Sequence, residues 1–255
     1  MGGVETHGER PETAGPVVMW QRWDDLLFLH WEFDPRVIQA TLPPGLTVDT
    51  HAGRAWVGVV PFRMAAVRPR FLPPVPGLSW FWELNVRTYV RDVRGRPGVW
   101  FYSLDCDQPL ACAIARRFFH LNYRDADMAC EVACGVAGGV AGGGWRDFSS
   151  RCRDEAASAR LKWRPGPVAT AAVAGSLDFF LVERYRLFAH DGGRGRLFSG
   201  VVAHDPYLVS SVEVGALAVD ELFLSNRLPV PEAGPVHAVA SCGVQVRILG
   251  VNPIT

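Results

Sequence analysis

Residues 83–90, ELNVRTYV, alternate without a break. Glu83, Asn85, Arg87 and Tyr89 fall on one face of a strand; Leu84, Val86, Thr88 and Val90 fall on the other. The run lies in the stretch 80–128, around which the chain is organised. Residues 94–98 (RGRPG) supply a turn, and 99–104 read as a second, very apolar strand. Residues 105–109 break it, and 110–119 read as a short helix with Arg116 and Arg117 near its C-terminal end, where cations suit the helix dipole. A half-buried strand with its polar face in water produces the same alternation. The aromatics crowding both ends (Trp80, Phe81, Trp82, Tyr89) argue instead that the polar face is enclosed. An enclosed carboxylate beside a guanidinium is either a structural ion pair or a substrate clamp, and both readings stay open at this point.

The rest of the chain reads as further strands. Residues 20–33 are too apolar for a surface, and His30 among them reads as a hydrogen-bonded core residue. Asp34 is an N-cap and Pro35 a first-turn residue for a helix through Ala40. Residues 47–50 and 54–62 read as strands around the turn 51–53, and 69–76 as a proline-rich crossing outside any ladder. A strand over 129–136, a glycine-rich hairpin loop over 135–144 and paired strands at 145–153 and 160–164 follow. Residues 165–167 (PGP) read as a turn and 169–175 as a small-residue connection. If 176–188 is extended, Glu183 and Tyr185 share one face, and Arg184 and Arg186 the other. Residues 192–195 form a turn, 197–203 a strand ending at His204, and 236–249 a strand with His237, Ser241, Gln245 and Arg247 on one side. Roughly ten strands and two or three short helices favour a mainly β protein, with a largely antiparallel sheet that is closed or nearly so.

Composition excludes several classes. The 26 basic and 26 acidic residues balance, and the arginines are dispersed among acids, so no nucleic-acid surface is expected. Only Lys162 is a lysine, so chemistry needing an amine has one candidate. The six cysteines form no CxxC and no zinc spacing with histidine; they read as small buried residues of a reducing compartment. The glycine-rich segment lacks the Lys-Ser/Thr of a phosphate loop, and no GxSxG elbow is present. Residues 1–15 are polar and read as a disordered tail before a single domain over 16–255, with neither a signal peptide nor an apolar membrane span. The expected setting is cytoplasmic. No metal and no cofactor is expected, and self-association into a homo-oligomer stays open.

The segments HWEFDP, LPPGLTVDTHAGRAWVGVVPF, ELNVRTYV, PGVWFYSLD, ARRFFHLNYRDADM and SLDFFLVERYRLF resemble the YqjF-like family of unknown function, within the acetoacetate decarboxylase-like superfamily. The resemblance runs from about Trp20 to the end. It implies one large antiparallel, closed β-barrel with an internal cavity and short flanking helices. In acetoacetate decarboxylases a lysine of depressed pKa forms a Schiff base with the keto group. Its segment, R-E-x-W-G-F-P-K-K-x-A, matches residues 116–126 here, which places Tyr123 at the reactive lysine and Arg124 at its cationic neighbour. Neither side chain can form an imine. The superfamily also keeps a glutamate on a barrel strand, and Glu83 is its counterpart.

The expectation is therefore a cavity for a small organic acid or carbonyl compound, without Schiff-base lysine chemistry. Arg87, with Asn85, clamps the anion; Glu83 acts as acid or base, and Tyr123 bonds to the carbonyl. Arg116, Glu183, Arg184 and His204 are secondary candidates for substrate contact. A non-catalytic sensor or carrier, or a structural oligomer-forming protein, are the competing readings.

Overall fold

The computed structural model describes residues 16–132, 143–191 and 195–254. The expected tail at 1–15, Cys134, most of the glycine-rich segment and most of the turn 192–195 lie outside these residues. In chain order the elements are β1 (Met19–Phe33), α1 (Pro35–Gln39), β2 (Leu46–Val48), β3 (Ala55–Pro69), β4 (Phe81–Asp92) and β5 (Pro97–Cys106). Then come α2 (Pro109–Phe119), β6 (Tyr123–Val132), β7 (Arg146–Cys152), β8 (Ser158–Ala171) and α3 (Leu177–Val182). The last are β9 (Arg186–Asp191), β10 (Arg196–His204), β11 (Leu208–Ala218), α4 (Asp220–Ser225) and β12 (His237–Pro253). The protein is mainly β, with twelve strands and four short helices among the described residues, against the ten strands expected.

Two strands fork. β5 pairs with β4 along its length, in parallel with β9 near Val99 and in parallel with β6 near Leu104. β12 pairs with β1, with β11 near Ala240, and with β10 from Val246 to Pro253. The pairings therefore run β12-β1-β3-β4-β5-β9-β10 and return to β12, while β6, β7, β8 and β11 lie on the other side of the shared strands. Most pairs are antiparallel; the two parallel pairs, both on β5, depart from the purely antiparallel sheet expected.

The shared strands are covered on both faces. Leu26 and Phe28 of β1, with Val60 and Phe62 of β3, pack into one core, whereas Leu27, Leu29 and Trp31 with Val57 and Val59 pack into a second. Burial on both sides removes any need for polar alternation, which is why these two strands read as continuous apolar runs. The face assignment reverses part-way along β1 and β12. The β1–β12 ladder is interrupted between Asp24↔Gly243 and Leu26↔Ser241, where Asp25 (φ 51°) and Gly243 (φ 139°) take positive φ, and a Cβ on Gly243 would lie 2.3 Å from the Trp23 carbonyl oxygen. Val239 therefore joins Val246 and Ile248 in one core, and the single polar face expected for 237–247 is split.

Other local expectations need correction. β2 pairs with β4, so 47–50 and 54–62 do not form a hairpin; only a bridge from His51 to Arg54 closes that turn. β8 continues through Pro165-Gly166-Pro167 by bulging there: its steps from Pro165 to Ala169 lie opposite the shorter β11 stretch from Val212 to Ser210. Residues 177–182 are helical, capped by the Ser176 hydroxyl, and the chain becomes extended only after them. α1 has its Asp34 cap, and α2 begins under the Gln108 side chain and ends at left-handed His120.

Gly98 is where β5 meets β9. A Cβ there would lie 2.7 Å from both the Arg186 carbonyl oxygen and the Phe188 ring. Gly98→Ala is expected to cost about 1–3 kcal/mol by overpacking, read as a lower midpoint in urea. An unchanged midpoint would mean that the β5–β9 contact carries no stability.

Candidate functional site

β4 turns Phe81, Glu83, Asn85 and Arg87 to one side because strand side chains alternate, and that side faces a cavity of about 300 Å³. Its walls are largely apolar, drawn from residues such as Met19, Trp23, Phe62, Phe101 and Leu187. α2 and the segment 69–79 border it at one end, while Val182, Arg184 and Tyr207 line it near α3. Arg184, Arg186 and Tyr207 carry its remaining strongly polar groups.

Glu83 is 2% exposed and accepts a 2.7 Å hydrogen bond from the Tyr123 hydroxyl. Tyr123 opens β6, and the Arg116 guanidinium holds its carbonyl oxygen at 3.2 Å. Burial pushes the Glu83 carboxyl up to about 8 from an ordinary 4.5. Hydrogen bonds from Tyr123 and Asn85 pull the other way, and nearby Asp105 adds to the rise. Near neutrality Glu83 is thus mainly a neutral acid. Burial, and then the adjacent Glu83, raise the Tyr123 phenol well above its usual range, so it stays protonated. The pair can donate protons but offers no permanent negative charge.

Arg87 is 8% exposed. It donates to the Leu181 carbonyl oxygen at 3.2 Å and lies 5.4 Å from the Phe28 ring centre and 5.7 Å from that of Tyr89. Among the described residues it has no carboxylate partner, so the Glu83–Arg87 ion pair that the sequence left open does not form. Its Nε and the Asn85 Oδ1 are both buried without a hydrogen-bond partner among the described residues. Behind Arg87 runs a chain of polar groups. Asp178 meets His237 Nε2 at 2.9 Å, His237 Nδ1 meets His30 Nδ1 at 2.9 Å, and His30 Nε2 meets the Tyr89 hydroxyl at 2.6 Å. Tyr89 in turn donates to the same Leu181 carbonyl that Arg87 uses. Burial, His237 and Arg87 hold the His30 pKa well below its usual value, so this histidine stays neutral beside the guanidinium. His30 is thus the hydrogen-bonded core residue expected, and it helps to position Arg87.

The other sequence candidates part company. Arg184 lines the cavity but is tied to Asp49 at 2.9 Å and to the Phe180 carbonyl at 2.7 Å. Glu183 and His204 are not on the cavity wall. Glu183 accepts from the Tyr185 hydroxyl and, at 2.8 Å, from the Tyr207 amide, bracing the turn after α3. His204 sits among Trp23, Tyr185 and Tyr207, with Nδ1 2.7 Å from the Asp205 carbonyl. Arg116 lies on the exposed side of α2, 3.1 Å from Asp125, and reaches the site only through the Tyr123 backbone. Arg124, next to Tyr123, points to the opposite side of β6 and pairs with Asp105 at 2.6 Å. Lys162 is on β8, its ammonium 5.5 Å from the Trp145 ring centre, and no lysine lines the cavity. Tyr207 and Arg186 line it without having been singled out as site residues; the pairing of Arg184 with Arg186 two residues on was the available signal for the latter.

Residues 20–245 match the model of the DUF2071 family of uncharacterized conserved proteins. The chain belongs to this family. It is 37% identical over 223 residues to the uncharacterized protein YqjF of Bacillus subtilis (strain 168), covering 87% of each chain. Among solved structures it resembles an acetoacetate decarboxylase-like enzyme from Sphingomonas wittichii RW1, with a TM-score of 0.64 at 16% identity over 99% of both chains. The enduracididine biosynthesis enzyme MppR complexed with pyruvate aligns with a TM-score of 0.63 at 14% identity, over 94% of this chain and 91% of that one. Acetoacetate decarboxylase from Legionella pneumophila gives 0.60 at 15% identity, over 94% and 89%. At these identities the likeness establishes the fold: this DUF2071 chain has an acetoacetate decarboxylase-like architecture.

The raised Glu83 pKa sets a stability profile for the family member. The folded state binds this proton more tightly than the unfolded state, so stability is full below about pH 4.5 and falls as pH rises toward about 8. At roughly 1.4 kcal/mol per pKa unit the loss is on the order of 5 kcal/mol. Glu83→Gln, which imitates the neutral acid, should flatten this decline and be the more stable protein at pH 9. Parallel urea midpoints for the two proteins from pH 5 to 9 would refute a buried, neutral Glu83.

Proposed function

We propose that the DUF2071 chain binds a small carboxylate- or carbonyl-bearing molecule in this cavity and acts on it by acid–base chemistry. The observation that carries the reading is Arg87, a buried guanidinium with no carboxylate partner among the described residues, on the same wall as the protonated Glu83–Tyr123 pair. Such a cation is costly to bury unless an anion joins it, and a ligand carboxylate supplies two acceptors for its fork of donors. Neutral Glu83 can protonate a carbonyl oxygen that Tyr123 holds, and the carboxylate so formed can take a proton back from carbon. Isomerase- or lyase-like chemistry follows from that exchange.

The pairing circuit β12-β1-β3-β4-β5-β9-β10 is read here as a closed barrel around the cavity. The same fold accommodates pyruvate in MppR, which favours a ligand of this class. The proposed chemistry does not pass through a Schiff base, since Tyr123 and not a lysine faces the cavity. The five described cysteines are all free, in keeping with a cytoplasmic setting.

A thermal-shift screen against keto acids, hydroxy acids, aldehydes and esters of graded chain length tests the proposal. A ligand at about 100 times its Kd adds roughly 2.7 kcal/mol, which for a chain of this size is a rise of about 5–10 °C. Carboxylate hits should be lost in Arg87→Ala, and Glu83→Gln should bind the same ligands without turning them over. Binding that gives no turnover in the wild type would make the protein a carrier or sensor. A flat panel across all classes sinks the proposal.

A further inference from the structure

The cavity has two polar stations on one strand. Glu83 and Arg87 are four residues apart, which at about 3.3 Å per residue sets their Cα atoms about 13 Å apart. The Arg87 guanidinium packs near the ring of Tyr89, two residues further along the strand. A short keto acid is shorter than that backbone separation.

Apart from Asn85, which lies between them on the same strand face, much of the surrounding wall is hydrocarbon. At the Glu83 end the cavity is bordered by α2 and the segment 69–79, through residues that also face solvent: Leu110 is 52% exposed, Ile114 41%, Leu72 57% and Val75 47%. Gln108 Nε2 donates to the Gly77 carbonyl at 2.8 Å and ties the two borders together. The opening is therefore an apolar rim, an unfavourable entrance for a small hydrophilic anion and a good seat for methylene groups. At the far end Arg87, Arg184, Arg186 and Tyr207 line the cavity; Arg184 is paired with Asp49, and Arg87 has no carboxylate partner among the described residues.

We propose that the ligand is a linear amphiphile: a carboxylate held at Arg87, with an unbranched hydrocarbon chain that passes Glu83 and Tyr123 and ends in the apolar rim between α2 and residues 69–79. Covering the distance takes roughly eight to twelve carbons at ordinary bond lengths. The inference rests on the cavity being the binding site proposed above, and it adds the length, polarity and direction of the occupant.

The test is a titration of the full-length protein with saturated straight-chain acids from three to twelve carbons, followed by tryptophan fluorescence, since Trp23 lines the cavity. Affinity should rise about fourfold per methylene until the chain fills the rim. Alcohols of matched length should bind at least tenfold more weakly than the acids, and that preference should vanish in Arg87→Gln. Ile114→Gln, at an exposed helix position that tolerates polarity, should flatten the length dependence at its long end. Short acids that bind as well as long ones overturn the amphiphile while leaving the carboxylate site standing. Acids that fail to bind at every length overturn both. A length dependence untouched by Ile114→Gln overturns the direction of the chain, as does an acid preference retained in Arg87→Gln, which can be assayed only if its melting transition remains cooperative.

Discussion

Covering both faces of β1, β3 and β4 is the condition on which the other features of the site depend. A sheet with one wet face would leave Glu83, Asn85 and Arg87 hydrated, with ordinary acidities and no reason for a ligand to replace water. Here Leu84 and Val86 of the same strand are sealed in the second core, so the sheet is packed from behind as well as in front. The forks at β5 and β12 make this possible, because each lets one strand serve two sets of partners. The polar stripe of β4 is then the one place where these shared strands turn ionisable groups into an enclosed space.

Within that space the electrostatic balance favours an incoming anion. Glu83 is held mainly neutral by burial, and Asp49 is engaged with Arg184 and Arg91. Among the described residues Arg87 is met by a backbone carbonyl and by the Phe28 and Tyr89 side chains, with no carboxylate. The His237–His30–Tyr89 chain stabilises that arrangement from behind: a neutral His30 in the bonded row holds Tyr89, whose ring and hydroxyl locate the guanidinium without neutralising it. A carboxylate placed there instead of His30 would satisfy Arg87 internally and remove the attraction for a ligand.

How far the sequence could be read follows from which signals are local. The alternation in ELNVRTYV is local, and the structure keeps all three of its polar residues on the cavity wall. Aromatics at both ends of the run marked it as enclosed. By contrast, the interruption at Asp25 and Gly243 reverses two strands at once through a contact between residues more than two hundred positions apart. Nothing in either segment alone announces it. The helix over Leu177–Val182 was obscured because SLDFFLV is apolar enough for a strand, and the Ser176 cap that starts it is a single hydroxyl. Glu183 and His204 looked like site residues for their chemistry alone. Their partners, the Tyr185 hydroxyl and Tyr207 amide for one and three aromatic rings for the other, are set by tertiary packing.

The segment 116–126, which resembles the lysine segment of acetoacetate decarboxylases, divides between the cavity and the opposite side of the sheet. Adjacent residues on a strand face opposite ways. Tyr123 enters the cavity as the first residue of β6, so Arg124 must leave it, and Arg124 finds Asp105, Ser103 and Glu155 on the other side. The Arg124 cation next to Tyr123 is therefore spent on structure. Arg87, a cavity cation with no carboxylate partner among the described residues, comes from β4, two positions past Asn85, which is level with Tyr123 across β5. The Cα atoms of Glu83 and Arg87 are about 13 Å apart along the strand, so acid and cation are spread lengthwise. An amine nucleophile needs its electrophile and depressing charge together at one point. A binding groove that separates head from body needs them apart, and this wall has the second arrangement.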